Sequence, residues 1–316
     1  MNIVIATPAP AHSRAGNRVT AVRWSRILQS LGHCVRLTDE FSGQECDVLI
    51  ALHARRSYGA MKLFRGLYPN RRIVLALTGT DLYGDIRTRR SARQALEWAD
   101  RLVVLQPLAV DELSHRLQAK VRTIYQSVRP PRSVAKPSSR VFQVCVMGHL
   151  RPVKDPLRAA KAARLLPVSS RTQVVHVGGA LSAMMERAAR VESAANPRYR
   201  WVGEVPRGRA LRILSRSRLL VLTSKMEGGA NVISEAIAMS VPVISSRIPG
   251  SVGLLGEDYG GYFPVGDTQA LAALLQRAET DSAFYESLRS WGVGLQPIFD
   301  PARERRSWAS LLDELA

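Results

Sequence analysis

The densest run of residues able to do chemistry is Lys225–Ile244, KMEGGANVISEAIAMSVPVI. Glu227 and Glu235 are separated by seven residues, and Gly228 and Gly229 follow the first of them. The apolar strand Leu219–Leu222 precedes the segment, and Val232 opens a helical pattern behind it. A glycine-rich turn entering a helix presents backbone N–H groups at the positive end of the helix dipole. The turn Gly228–Gly229–Ala230–Asn231 is then a cradle suited to a diphosphate. Glu235, about one turn into the helix, can accept both hydroxyls of a vicinal diol such as ribose. The plain alternative is a glycine turn followed by a solvated glutamate. The strand before the segment and the VPVI strand after it favour the chemical reading.

A second set of candidates lies in the first half. Arg14-Ala15-Gly16-Asn17-Arg18 falls between the first strand and the first helix, where two arginines around a turn suit a small anion. His53-Ala54-Arg55-Arg56 follows another strand and reaches the same edge of the sheet. Leu77-Thr78-Gly79-Thr80-Asp81 follows a third. Each of these is also readable as an ordinary strand-to-helix turn, and a lone histidine is more often structural than catalytic.

These residues need a scaffold of alternating elements. Ile3–Thr7, Val35–Thr38, Val48–Leu52, Ile73–Leu77 and Leu102–Leu105 read as short apolar strands. Thr20–Leu31 reads as a helix, with Ala21, Trp24, Leu28 and Leu31 on one face and Gly32 as its stop. In the second half Val141–Met147, Gln173–Val177, Leu219–Leu222 and Val241–Ile244 read as strands. There Ala159–Leu166, Met184–Ala195, Ala210–Ser215 and Val232–Met239 read as helices. Short apolar strands separated by helices imply parallel sheets covered on both faces. The stretch 129–140, RPPRSVAKPSSR, is the best linker. The expected division is a Rossmann-like domain over 1–135, a second over 136–298, and a closing helix over 299–316 that packs back on the first. Asp300 and Pro301 are start signals for that helix. Two doubly wound domains of this kind are expected to face each other across a ligand-binding cleft.

Composition narrows the class. The 316 residues fit two domains, and 46% apolar content is enough for two cores. No apolar run is long enough to span a bilayer, and the start of the chain does not read as a secretory signal. The cysteine usage fits a reducing cytoplasm, which is the expected location. Cys34, Cys46 and Cys145 are far apart and odd in number, which predicts neither disulfides nor a zinc site. The net charge of +19 favours an anionic partner, unless it is only a solvated arginine-rich surface. The basic residues are spread along the chain, and aromatic residues make up only 6%, which argues against nucleic acid as the partner.

The Glu227–Glu235 segment resembles the E-x7-E region of family 4 glycosyltransferases, which have the GT-B architecture. Gly148-His149-Leu150-Arg151-Pro152-Val153-Lys154 is similar to that family's G-x-L-x-x-x-K pattern. The resemblance implies a nucleotide-sugar donor, with Arg151 and Lys154 on its diphosphate and Glu227 in the catalytic set. The physical reason agrees, because negative charge grows on the departing nucleoside diphosphate and fixed cations stabilise it most in the transition state. With charge supplied by protein, no metal and no cofactor is expected, and the chain lacks a D-x-D pair. Trp201-Val202-Gly203-Glu204-Val205 resembles the family's loop near the donor base, and Gly178-Gly179 another glycine turn there.

The resemblance makes the first domain the acceptor domain, where many family members carry a histidine at the position of Thr78. Thr78 there is a departure from the family pattern, and an acceptor that needs no protein base fits it. GNRVTAVRW, LHARRS and LTGTDLY together resemble a narrower group, the selenosugar synthases of selenoneine biosynthesis. This implies a UDP-sugar donor, UDP-glucose or UDP-N-acetylglucosamine, and selenophosphate as acceptor. Arg14, Arg18, Arg55 and Arg56 are the candidates to hold that acceptor, with Gly16, Asn17, His53, Thr78, Thr80 and Asp81 around it. The competing expectations are a family 4 transferase using a lipid or glycan acceptor at a membrane surface, without stable insertion, and a basic nucleic-acid binder.

Overall fold

The computed structural model describes residues 1–13, 15–131 and 137–315; Arg14 and the middle of the expected linker, 132–136, lie outside the described residues. The chain divides into two compact units. One comprises Met1–Ser127, Glu227–Gly229 and Asp300–Ala316, the other Val128–Met226 and Ala230–Phe299.

The first unit holds a six-stranded parallel sheet of β1 (Asn2–Ala6), β2 (Cys34–Thr38), β3 (Val48–Leu52), β4 (Arg72–Ala76), β5 (Arg101–Val104) and β6 (Val121–Thr123), in the order β2-β1-β3-β4-β5-β6. Successive side chains of a strand point to opposite faces, so a strand buried on both sides must be apolar throughout. VLIAL of β3 is buried at every position. Val4, Leu49, Ile73 and Leu75 face the helices Tyr58–Leu67 and Arg90–Trp98. Ile3, Ile5, Ile50 and Val74 face Trp24 and Leu28 of the helix Gly16–Ser30 and Trp308, Leu311 and Leu312 of the helix Pro301–Asp313. Trp24 and Trp308 meet edge to face at 4.8 Å between ring centres. The closing helix starts as its sequence implies, with the Asp300 carboxylate accepting from Ala302 N and Pro301 in the first turn.

The second unit repeats the design with β7 (Phe142–Met147), β8 (Thr172–Val177), β9 (Tyr199–Gly203), β10 (Leu219–Leu222), β11 (Val243–Ser246) and β12 (Tyr262–Phe263), in the order β12-β11-β10-β7-β8-β9. All its pairings are parallel. The helix Arg158–Arg164 buries Ala159, Ala160, Ala162 and Ala163 completely, small side chains that let its backbone approach close to its neighbours.

Several boundaries differ from expectation. The first helix begins at Gly16 rather than Thr20, because its opening turn, Gly-Asn-Arg-Val, carries no apolar period. The strand expected at Val241–Ile244 is β11, Val243–Ser246: Pro242 has no N–H to add to the ladder, although its carbonyl accepts from Leu220 N. Trp201–Gly203 ends the edge strand β9, and Gly203 turns the chain at φ 78°, as the plain strand-and-turn reading of that segment has it.

Candidate functional site

In each sheet the strand order reverses once, and a reversal leaves a crevice at the carboxyl ends of the two strands beside it. In the second unit that point lies between β7 and β10. The Gly148–Lys154 segment leaves β7 there, and Thr223–Lys225 leaves β10. The two loops are laced together. Lys225 N donates to Val153 O at 2.8 Å, and Thr223 Oγ1 donates toward the carbonyls of Lys154 and Asp155, each at 2.9 Å. Pro152–Lys154 forms a single 3-10 turn ended by Asp155 in the left-handed region, φ 42°. Arg151 and Lys154 are both half-buried on this turn.

The base of the loop is held from β8. Gly148 N donates to Val177 O and Leu150 N to Gly179 O. Gly178, at φ 153°, has no room for a side chain: a Cβ there would lie 1.9 Å from Gly148 O. Burial pushes the pKa of His176 down to about 4, so the ring is neutral near pH 7. Trp201 Nε1 donates to Gly178 O at 2.7 Å, and Gly178 N donates to Gly203 O at 2.9 Å, which joins the Gly203 turn to the same assembly.

The helix Asn231–Ala238 follows the glycines. Ala230 at its N-cap has no side chain to close the first turn, and no acidic residue occupies that turn. Glu235 is buried at 1% exposure. Its Oε1 lies 2.6 Å from Nη1 of Arg207.

Glu227, Gly228 and Gly229 belong to the first unit, beside β4 and β5. A Cβ on Gly228 would lie 2.5 Å from the Thr78 carbonyl carbon, one on Gly79 would lie 2.6 Å from Gly228 N, and one on Gly229 would meet Leu105 Cβ at 2.6 Å. Close contact with the backbone of Thr78 and Gly79 and with Leu105 is therefore sufficient reason for glycine at 228 and 229, a reason the diphosphate-cradle reading did not include.

In the first unit the reversal lies between β1 and β3. Gly16, Asn17 and Arg18 open the helix after β1, and His53–Arg56 leave β3. Asp81 is fully buried. Its Oδ1 accepts from Thr78 N at 2.9 Å and Gly79 N at 2.8 Å, and its Oδ2 from Ala54 N at 2.9 Å. This carboxylate fixes the ends of β3 and β4 against each other. His53 is 2% exposed with φ 78°, and its Nε2 lies 3.1 Å from Thr80 Oγ1 and 3.8 Å from Asp85 Oδ2. Burial holds its pKa below the usual histidine value, against a smaller upward pull from Asp81. Arg55 pairs with Asp85 at 3.0 Å.

The structure thus gathers His53, Arg55, Thr80 and Asp81 into one network. Arg56 is exposed and joins it through its backbone N–H, 3.4 Å from His53 Nδ1. Asp85, His176 and Arg207 were missed by sequence reasoning. Asp85 stands four residues after Asp81, a spacing that could have flagged it. His176 lies in an apolar strand and Arg207 among many arginines, and neither carries a motif. Among the described residues, no three His, Cys, Asp or Glu side chains come together as a metal site, and no helix is long and apolar enough to cross a membrane.

Residues 132–292, just over half of the chain, match the family model described as glycosyl transferases group 1. A relative from Xenopus tropicalis, glycosyltransferase 1 domain-containing protein 1, is 24% identical over 291 residues, covering 83% of this chain and 84% of its own. Among solved structures, HepE from Anabaena in complex with UDP and glucose superposes with a TM-score of 0.76 at 15% identity, covering all of both chains. Sucrose-phosphate synthase from Thermosynechococcus elongatus does so with a TM-score of 0.78 at 16% identity, covering 99% of this chain and 98% of its own. Two doubly wound parallel-sheet domains with these neighbours are the GT-B fold, and the chain belongs to the glycosyl transferases group 1 family.

Proposed function

We propose that this glycosyltransferase moves a hexosyl group from a UDP-sugar, UDP-glucose or UDP-N-acetylglucosamine, to selenophosphate. The donor half of the proposal rests on one observation: the loop carrying Arg151 and Lys154 and the loop after β10 leave neighbouring strands at the reversal point of the sheet and are hydrogen-bonded to each other. The likeness to HepE, solved with UDP and with UDP-glucose, supports UDP as the nucleotide.

In this reading Arg151 and Lys154 hold the diphosphate, with Gly148, Ala230 and Asn231 close to it. Gly203 lies near the base, Glu235 takes the ribose, and Glu227 is assigned to the catalytic set. As the bond from C1 to the diphosphate oxygen breaks, its electron pair goes to the leaving group, and the two cations stabilise that charge without a metal ion.

The acceptor half is supported by the chemistry of the first unit. Arg18, Arg55 and Arg56 are cationic groups at the carboxyl ends of β1 and β3. The buried acidic group there is not set up as a base, since both oxygens of Asp81 accept from backbone N–H groups. Thr78 stands where many family members carry histidine. A selenium nucleophile that is already anionic needs cations more than it needs a base. Its lone pair forms the C1–Se bond as UDP departs, and hydrolysis of the P–Se bond of that product gives the selenol and phosphate. Incubation with UDP-glucose or UDP-N-acetylglucosamine, with and without selenophosphate, tests this. UDP release that depends on selenophosphate supports the assignment, and release indifferent to it ends it.

One observation favours a second reading, an acceptor at an anionic membrane surface. Leu63 and Leu67, one turn apart on the helix Tyr58–Leu67, are 41% and 50% exposed beside the exposed Lys62. Sedimentation with phosphatidylserine vesicles that is lost in Leu63→Ser/Leu67→Ser would support it.

A further inference from the structure

The helix Arg207–Ser215 carries arginines on two faces. Arg209, Arg212 and Arg216 follow one another at three- and four-residue spacing and are exposed. Arg207 lies elsewhere on the helix: it shares its azimuth with Leu214, seven residues on, which is fully buried. At the first position of the helix it is half-exposed, and its Nη1 lies 2.6 Å from Oε1 of Glu235 as an ion pair.

The two side chains differ sharply in exposure, 45% for Arg207 and 2% for Glu235. A carboxylate so deeply buried needs a counter-charge, and the Arg207 guanidinium supplies it as an ion pair. A vicinal diol offers two O–H donors and is read well only by a carboxylate held in a fixed plane with acceptor positions facing it. The guanidinium of Arg207 is a rigid fork, and a half-exposed one keeps further N–H groups at its solvent side. We infer that Arg207 is the positioning residue of the ribose reader: it fixes the Glu235 carboxylate so that the enzyme distinguishes a ribonucleotide donor from its deoxy counterpart. The inference rests on the proposal that Glu235 takes the ribose of a UDP-sugar, and it adds a specificity residue to that site.

The test compares UDP with 2′-deoxy-UDP by calorimetric titration of the full chain, in the wild type, Arg207→Ala, Arg207→Lys and Glu235→Gln. A lost hydrogen bond to a charged group corresponds to about tenfold or more in affinity, so the wild type should prefer UDP by at least that factor. In Arg207→Ala the preference should fall to within about twofold, with Arg207→Lys in between. Adding Arg207→Ala to Glu235→Gln should change the preference no further. In steady-state assays the Arg207→Ala effect should appear in KM for the donor, with kcat nearly unchanged.

A structural role alone would lower the melting temperature and weaken both nucleotides equally. An Arg207→Ala variant that keeps the wild-type UDP preference overturns the inference. Absence of UDP binding in the wild type would instead remove the donor reading beneath it, so the two failures are distinguishable.

Discussion

His176 Nε2 and the Gly148 carbonyl oxygen are 3.0 Å apart, and because a carbonyl only accepts, the ring must carry its proton on Nε2. Nδ1 then accepts from the Tyr199 hydroxyl, also at 3.0 Å. One neutral imidazole thereby ties the edge strand β9 to the first residue of the loop proposed to hold the diphosphate.

A pH dependence follows. Burial lowers the His176 pKa from 6.5 to about 4 in the folded chain. The unfolded chain therefore takes up this proton first as pH falls. The stabilising contribution is complete above pH 6.5 and is lost on acidification towards 4, at up to about 1.4 kcal/mol per pH unit. Urea midpoints measured across this range should decline in the wild type and decline less steeply in His176→Gln. Parallel slopes for the two proteins would show that His176 does not set this pH dependence.

Gly178→Ala should be severe. The residue combines φ 153° with a Cβ position 1.9 Å from Gly148 O. The backbone conformation alone costs about 1–3 kcal/mol, and the overlap forces the Arg151–Lys154 loop to move. Reduced melting temperature together with loss of UDP binding is expected. A variant of wild-type stability and affinity contradicts the geometry.

Arg151→Ala and Lys154→Ala should each lower kcat by about 10²-fold while leaving the melting temperature close to wild type, since both side chains sit half-buried on a loop. Near-normal turnover in either variant would withdraw that residue from the leaving-group role.

Glu304 holds the closing helix. At 2% exposure it accepts from Trp24 Nε1 at 2.8 Å, from Ser127 N at 2.9 Å and from Arg23 Nε at 3.2 Å. Glu304→Ala leaves those donors without an acceptor in a buried setting and should destabilise the chain by about 3–5 kcal/mol. Denaturation followed by tryptophan fluorescence reads this directly, because Trp24 lies in the network. A loss below about 1 kcal/mol would mean that solvent or a neighbour replaces the carboxylate.

Much of the framework was legible in the sequence because parallel strands buried on both faces are apolar throughout, as in VLIAL, and the helix starts carry their caps, as at Asp300-Pro301. The E-x7-E and G-x-L-x-x-x-K segments could be placed after strands for the same reason. Short edge strands such as β6, Val121–Thr123, were missed, since three partly buried residues leave no period to detect. The Arg207–Glu235 pair was hidden because a half-exposed arginine looks like any other in a chain with 45 basic residues. The backbone approach of Gly228 to Gly79 joins residues far apart in sequence, and only the fold brings them together.

Calorimetric titration of UDP into the purified chain probes the donor site itself. Saturable binding at one site per chain is predicted with a dissociation constant below about 1 mM, weakened in Arg151→Ala, Lys154→Ala and Glu235→Gln. No heat of binding at several times that concentration, with the protein shown to be folded, would contradict the donor site and every role built on it.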